Sequence, residues 1–335
     1  TMRKELALKA FKTTALYDAN IQKHFQRTVE KNAISENLVL GLSKKQDLRY
    51  GENPHQKAAL YSFGNINDQS LVGANIFQGK ELSYNNFLDA NTAMRCSQEF
   101  NDPCCVIVKH VNPCGVAISD NIINAYEKAF ETDPESAFGG VIAVNRTVDE
   151  NFATKLISNQ FVEVIIAPDY DAGTLEVFKE KNNIRVISVK GYKKNRIDFQ
   201  IQSIDGGFLV QEDDDKMITK DDLNCVTEKK PNQDEIADLM FAWTVAKYVK
   251  SNAIVFAKNR QTIGIGAGQM SRVNSAKIAS LKAANANLDT TDAVMASDGF
   301  FPFSDSIEMA SDNGINCIIQ PGGSIKDQEV INEAN

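Results

Sequence analysis

The feature that most limits the folds open to this chain is a series of short apolar runs, free of charge and rich in β-branched residues. They occur in "CCVIVKH", "FGGVIAVN", "FVEVIIAPDYD", "IRVISV", "NAIVFAKN", "TIGIGAG", "AVMASD" and "INCIIQPGG". Runs of this length predict strands buried on both faces. Between them lie segments with helical spacing: from Phe87 in "NNFLDANTAMRCSQEF", then "INAYEKAFETD", "AGTLEVFKEKNN", "IADLMFAWTVAKYVK" and "SAKIASLKAANA". Strand–helix alternation predicts an α/β layered sheet, and nearly every strand runs into glycine, proline or a polar residue. In such sheets the strand ends are the ligand-binding edges.

The opening stretch, Arg3 to about Arg27, has an amphipathic helical pattern. A polar interval from Lys190 to about Pro231, with the acidic "QEDDDK", marks the best candidate for a boundary between two lobes. At 335 residues the chain is long enough for two domains or one large α/β unit.

Composition removes several function classes. A net charge of −8 argues against binding nucleic acid through a general basic surface. A basic pocket for a small anion stays open, because net charge says nothing about one cleft. The six cysteines form no CxxC pair, and the spacing of Cys and His does not suit zinc. Adjacent Cys104 and Cys105 in an apolar run read as reduced core residues, so a cytoplasmic protein without disulfides is expected. No apolar segment approaches the ~20 residues that span a bilayer, so no membrane partner is expected.

Of only three histidines, one stands in "CCVIVKHVNPCG" directly after Lys109, where a buried strand is expected to end. There His110 would relay a proton near neutral pH, and Lys109 would supply positive charge to a developing oxyanion or a phosphate. The other reading is a surface lysine beside a histidine that caps a loop. "LRYGENPHQ" gathers Arg49, Tyr50, Asn53, His55 and Gln56, types that suit phosphate and a stacked heterocycle. It reads equally as a polar surface loop. "SAFGG" would bring backbone amides near a ligand or simply make a tight strand entry. "GIGAGQMSR" lacks the GxGxxG spacing of a dinucleotide fingerprint, and suits an anion-facing loop with Arg272. In "SDGFFPF" the phenylalanines would plug a core, or one would stack on a planar substrate.

Together these segments are more specific than any one alone. "LRYGENPHQ", "VKHVNPCG", "SAFGG", "VEVIIAPDYD", "SNAIVFAKN", "GIGAGQMSR", "SDGFFPF" and "IIQPGGSI" occur in the order and approximate spacing of one family. From about Arg3 to Asn335 the chain resembles the transformylase domain of the bifunctional AICAR transformylase/IMP cyclohydrolase family of purine biosynthesis. The resemblance implies duplicated cytidine deaminase-like three-layer α/β/α domains without zinc, in a cytoplasmic enzyme. It implies formyl transfer from 10-formyltetrahydrofolate to the 5-amino group of AICAR (aminoimidazole carboxamide ribonucleotide), giving FAICAR and tetrahydrofolate.

By the same resemblance His110 shuttles the proton, Lys109 stabilises the oxyanion, and Asn252 contacts the reacting amide or formyl group. Arg49, Tyr50, Gly139, Glu163, Arg272 and Phe300 match nucleotide-binding positions, with Glu163 where some relatives carry aspartate. The implied assembly is a homodimer with shared active sites, Lys-His coming from one chain and second-lobe residues from the other. Some relatives hold a structural potassium ion, for which this chain shows no motif. Residues 1–30 are expected to be a helical join to a cyclohydrolase domain absent from this sequence, 31–200 a first lobe, and 201–335 a second. Cyclohydrolase activity is therefore not expected from this chain. Family members continue past "VINEAN" to a basic-aromatic tail whose arginine helps bind the nucleotide. A non-catalytic nucleotide- or folate-binding fragment of the family is the competing expectation. A deaminase would require the zinc set that is missing.

Overall fold

A computed structural model describes residues 1–30, 34–64, 68–191 and 199–335. Residues 31–33, the start of the expected first lobe, and 192–198, inside the polar boundary interval, lie outside the described residues. The chain divides into two compact units, residues 1–74 with 191–216, and residues 75–190 with 217–335.

In the first unit, helix α1 (Met2–Phe25) precedes an antiparallel pair, β1 (Leu42–Leu48) and β2 (Ala58–Phe63). Among the described residues Ala19 of α1 is buried, while Leu8, Phe11 and Tyr17 of the helix stand exposed.

The second unit contains β3 (Asn75–Gln78), α2 (Tyr84–Ser97), β4 (Cys104–Lys109), β5 (Asn112–Ile118), α3 (Ile122–Thr132), α4 (Pro134–Ala137), β6 (Gly140–Val144), α5 (Glu150–Asn159), β7 (Val162–Ala167), α6 (Thr174–Phe178) and β8 (Arg185–Ser188). The chain then returns to the first unit with a hairpin, β9 (Phe199–Ile204) and β10 (Gly207–Glu212), inside the interval whose polarity suggested only a boundary. The second unit resumes with α7 (Gln233–Ala246), β11 (Ile254–Lys258), β12 (Gln261–Gly266), α8 (Arg272–Asn285), β13 (Val294–Ser297), α9 (Asp305–Asp312), β14 (Cys317–Ile319) and α10 (Asp327–Ala334).

Ten strands form one mixed sheet in the order β14-β13-β11-β12-β5-β4-β6-β7-β8-β3. Helices cover both faces. Cys105 and Ile107 of β4 pack with residues of α3 and α5, and Ile254 and Phe256 of β11 pack with residues of α8 and α9. The alternate residues Val106, Val108, Val255 and Ala257 are also fully buried, and α2 and α7 pack on those strands. Burial on both faces is why these strands read as unbroken apolar runs.

The two halves of this sheet repeat one pattern. In each, a helix precedes an antiparallel hairpin (β4–β5, β11–β12), whose first strand pairs antiparallel with the next strand, which in turn pairs parallel with the one after. Both hairpins carry a register shift at the same place, Ile107/Val108 in one and Phe256/Ala257 in the other. The same spacing in the chain separates Lys109 from Lys258 and Gly115 from Gly264.

Three sequence expectations change here. Asn112–Gly115, read as loop punctuation, belongs to β5. Gly115 is required there because a Cβ would lie 1.8 Å from the Ala129 carbonyl oxygen of α3. In "GIGAG" the first two glycines likewise serve packing: a Cβ at Gly264 or Gly266 would lie 2.2 or 1.8 Å from a carbonyl oxygen of α8. Helix α2 begins at Tyr84 rather than Phe87, because Ser83 and Asn86 form a reciprocal capping box.

Candidate functional site

The site begins at the tip of the β4–β5 hairpin. Only His110 and Val111 connect the two strands, and both have left-handed backbones, φ 53° and 63°. Positive φ at both central residues marks the primed turn whose twist suits a two-residue hairpin. Histidine is among the residues that visit this region, but a β-branched valine does not favour it, at a cost of the order of 1–2 kcal/mol. A buried carboxylate offsets that cost: Asp89 Oδ1, from α2, accepts the Val111 N–H at 2.6 Å. Burial raises the Asp89 pKa above its ordinary value, against the hydrogen bonds from the turn.

Lys109 ends β4, and its Nζ donates to the Phe138 carbonyl oxygen at 2.7 Å. Phe138 follows α4, whose first turn is capped by Asp133 Oδ1 accepting from the Ser136 N–H at 3.0 Å. Next comes Gly139, with φ +71° and its N–H donating to the Phe161 carbonyl at 2.8 Å. Glu163 lies two residues beyond Phe161 on β7. Its Oε2 accepts from Asn86 Nδ2 at 2.8 Å and lies 3.9 Å from Arg185 Nη1. Lys109, Gly139 and Glu163 are thus connected through successive strand ends, and Phe138 and Phe161 put two exposed rings 5.8 Å apart among them.

Lys109, His110, Cys114, Ser136 and Lys282 help line a cavity of about 140 Å³. Lys282 Nζ lies 2.5 Å from Asp133 Oδ2, so its charge is paired, and the pair holds Asp133 below the usual carboxylate value although burial works the other way. Cys114 is buried, which pushes its thiol up to about 12 and leaves it no nucleophile near neutral pH.

Asn252 stands just before β11. Its Nδ2 donates to the Gln269 carbonyl at 2.9 Å, and its own carbonyl accepts from Ser275 Oγ at 2.8 Å. Asn112 Oδ1 accepts the Lys250 N–H at 2.9 Å, which ties the start of β5 to the segment carrying Asn252. Arg272, the first residue of α8, donates through Nε to Ser297 Oγ at 3.2 Å and through Nη2 to Asp298 Oδ1 at 3.1 Å. It lies so close over Gly299 that a Cβ there would come 2.0 Å from Nη2. Phe300 follows, exposed, while Phe301 is buried in the core, the plug that "SDGFFPF" offered from sequence. Arg49 and Tyr50 belong to the first unit, with the guanidinium 5.6 Å from the tyrosine ring centroid.

Sequence reasoning missed Asp89, Asn86, Asp133 and Lys282. Asp89 did leave a signal: it is an acid on the inner face of the helix before a hairpin, and Asp238 occupies the same place in α7. Among the described residues no group of three or more His, Cys, Asp or Glu is arranged to hold a metal ion, and no helix is long and apolar enough to cross a membrane.

These features define an α/β protein with a Lys-His pair on a strained hairpin at one strand edge of a large mixed sheet. The family model of the AICARFT/IMPCHase bienzyme matches residues 1–282, and the chain belongs to that family of purine-biosynthesis enzymes.

Proposed function

We propose that this chain is an AICAR formyltransferase, passing the formyl group of 10-formyltetrahydrofolate to the AICAR 5-amino group. The observation that carries the reading is the Lys109–His110 pair: an imidazole on a two-residue turn, next to an ammonium anchored on the Phe138 carbonyl. The amine attacks the formyl carbon while His110 takes its proton. Lys109 stabilises the oxyanion of the tetrahedral intermediate, a contribution of ~3–4 kcal/mol by analogy with single-donor deletions. The bond from carbon to the folate N10 then breaks as His110 returns the proton to that nitrogen, leaving FAICAR and tetrahydrofolate. Asn252 orients the reacting amide, and Arg49, Tyr50, Gly139, Glu163, Arg272 and Phe300 hold the nucleotide.

The repeated hairpin pattern supports a duplicated cytidine deaminase-like fold. A homodimer with shared active sites is part of the proposal. It is supported by the exposed Leu8, Phe11 and Tyr17 of α1, and by a cavity smaller than the ~300 Å³ at which sites for drug-sized ligands begin. The proposed setting is the cytoplasm. Mixing the protein with AICAR and 10-formyltetrahydrofolate and following tetrahydrofolate release tests the reading; no release at micromolar protein overturns it. Sedimentation at the same concentration is expected to give a dimer, and a clean monomer would remove the shared site.

A further inference from the structure

We infer that Asp89 is a positioning residue of this site, holding His110 in its left-handed turn through the N–H of Val111. The inference rests on the proposed transfer reaction for its catalytic consequence, but the geometry stands independently. The turn puts two consecutive non-glycine residues at positive φ, and the β-branched Val111 is poorly suited to it. Among the described residues, the Val111 N–H has the Asp89 carboxylate as its acceptor, at 2.6 Å. Asp89 is held by α2, a helix capped at Ser83 and packed on β4 and β6, so the acceptor has little freedom to follow a relaxing turn.

The second hairpin is an internal control. There Asp238 of α7 accepts the N–H groups of Asn259 and Arg260 at 2.8 and 2.6 Å, and both residues have positive φ, 52° and 55°. The spacing in the chain from Asp89 to Asp238 equals that from Lys109 to Lys258. One device therefore holds both turns, and it differs in what the turn presents: His110 after Lys109 in the first, Asn259 after Lys258 in the second. Asparagine tolerates the left-handed region and carries no titratable ring. Selection for fold alone would give both aspartates the same importance. Positioning of the imidazole makes Asp89 different.

The experiment compares Asp89→Ala, Asp89→Asn and Asp238→Ala in the full chain, with kcat, KM and the imidazole proton resonances read together. Only three histidines are present, so the His110 signal is assigned by its loss in His110→Ala. Asp89→Ala is expected to lower kcat about 100-fold, the order of loss from a small misplacement of a reacting group, with the KM for AICAR within about threefold. Asp89→Asn keeps an oxygen acceptor and is expected to recover most of that loss. Asp238→Ala is expected to lose comparable thermal stability with kcat within about threefold of the parent. Equal kcat losses in the two alanine variants, or an unchanged kcat in Asp89→Ala, would overturn the inference. If the parent protein releases no tetrahydrofolate, the proposed function fails. Positioning is then judged on resonances alone: a His110 signal that shifts in Asp89→Ala and stays in Asp238→Ala upholds it, and an unmoved signal overturns it.

Discussion

Lys109 and Phe138 are joined by one hydrogen bond, Nζ to carbonyl oxygen at 2.7 Å, and it fixes the ammonium of β4 against the strand entry at Gly139. A flexible lysine is thereby given one location beside His110 without an acidic partner to cancel its charge in that bond. Replacing it with methionine keeps the stem and removes the charge. Lys109→Met is expected to lower kcat by about 10²–10³-fold, as loss of an oxyanion donor does, with little change in thermal stability. Steady-state kinetics and a melting curve check both halves of this.

His110→Ala is expected to lower kcat by about 10²–10⁴-fold, the usual contribution of a general acid–base group. AICAR affinity, measured by calorimetry, is expected to change only modestly. Turnover near the parent value would remove His110 as the proton shuttle.

Gly115→Ala places a methyl group 1.8 Å from the Ala129 carbonyl oxygen, where backbone rather than a side chain must give way. A loss of about 3 kcal/mol in urea unfolding is expected, at the upper end of overpacking costs. Gly207→Ala, whose Cβ meets nothing within 4 Å, is the comparison and is expected to stay near neutral.

The Asp133–Lys282 pair makes stability depend on acid. Burial opposes the Asp133 charge, but hydrogen bonds from Lys282 and Ser136 outweigh it and bring the folded pKa below 3.8. The contribution is complete above the unfolded value near 3.8 and is lost as pH falls through the folded one. Asp133→Asn is expected to cost about 1.5–3 kcal/mol at pH 7, the range for a charge-assisted hydrogen bond that is lost. The difference from the parent is expected to vanish in acid below the folded pKa, as read from chemical denaturation across pH.

Thiol chemistry separates the cysteines. Cys225 is exposed, whereas Cys96, Cys104, Cys105 and Cys114 are buried, with burial raising each thiol pKa. Half-buried Cys317 is raised to about 11. Brief iodoacetamide treatment of the folded protein at pH 8 is expected to give one adduct, located at Cys225 by peptide mass.

Eight of the ten strands of the large sheet, most helices and the α/β class were legible in the sequence, because burial on both faces writes itself as uninterrupted apolar runs. The sequence also made the Lys109–His110 pair visible, since a histidine is scarce here and this one follows a buried strand. How that pair is held becomes visible only in the folded chain. Asn112–Gly115 reads as a breaker because proline and glycine usually end strands, yet Gly115 is there to admit the Ala129 carbonyl of α3, a contact between separate elements. Within its own segment Asp89 looks like any polar helix residue, since the N–H it serves is twenty-two positions away in the chain. The Gly264 and Gly266 pair suggests a ligand loop until helix α8 is seen against it. Local pattern reports what each segment buries; which segment it is buried against depends on the sheet order, and so do the hydrogen-bond partners of Lys109 and of the turn at residues 110 and 111.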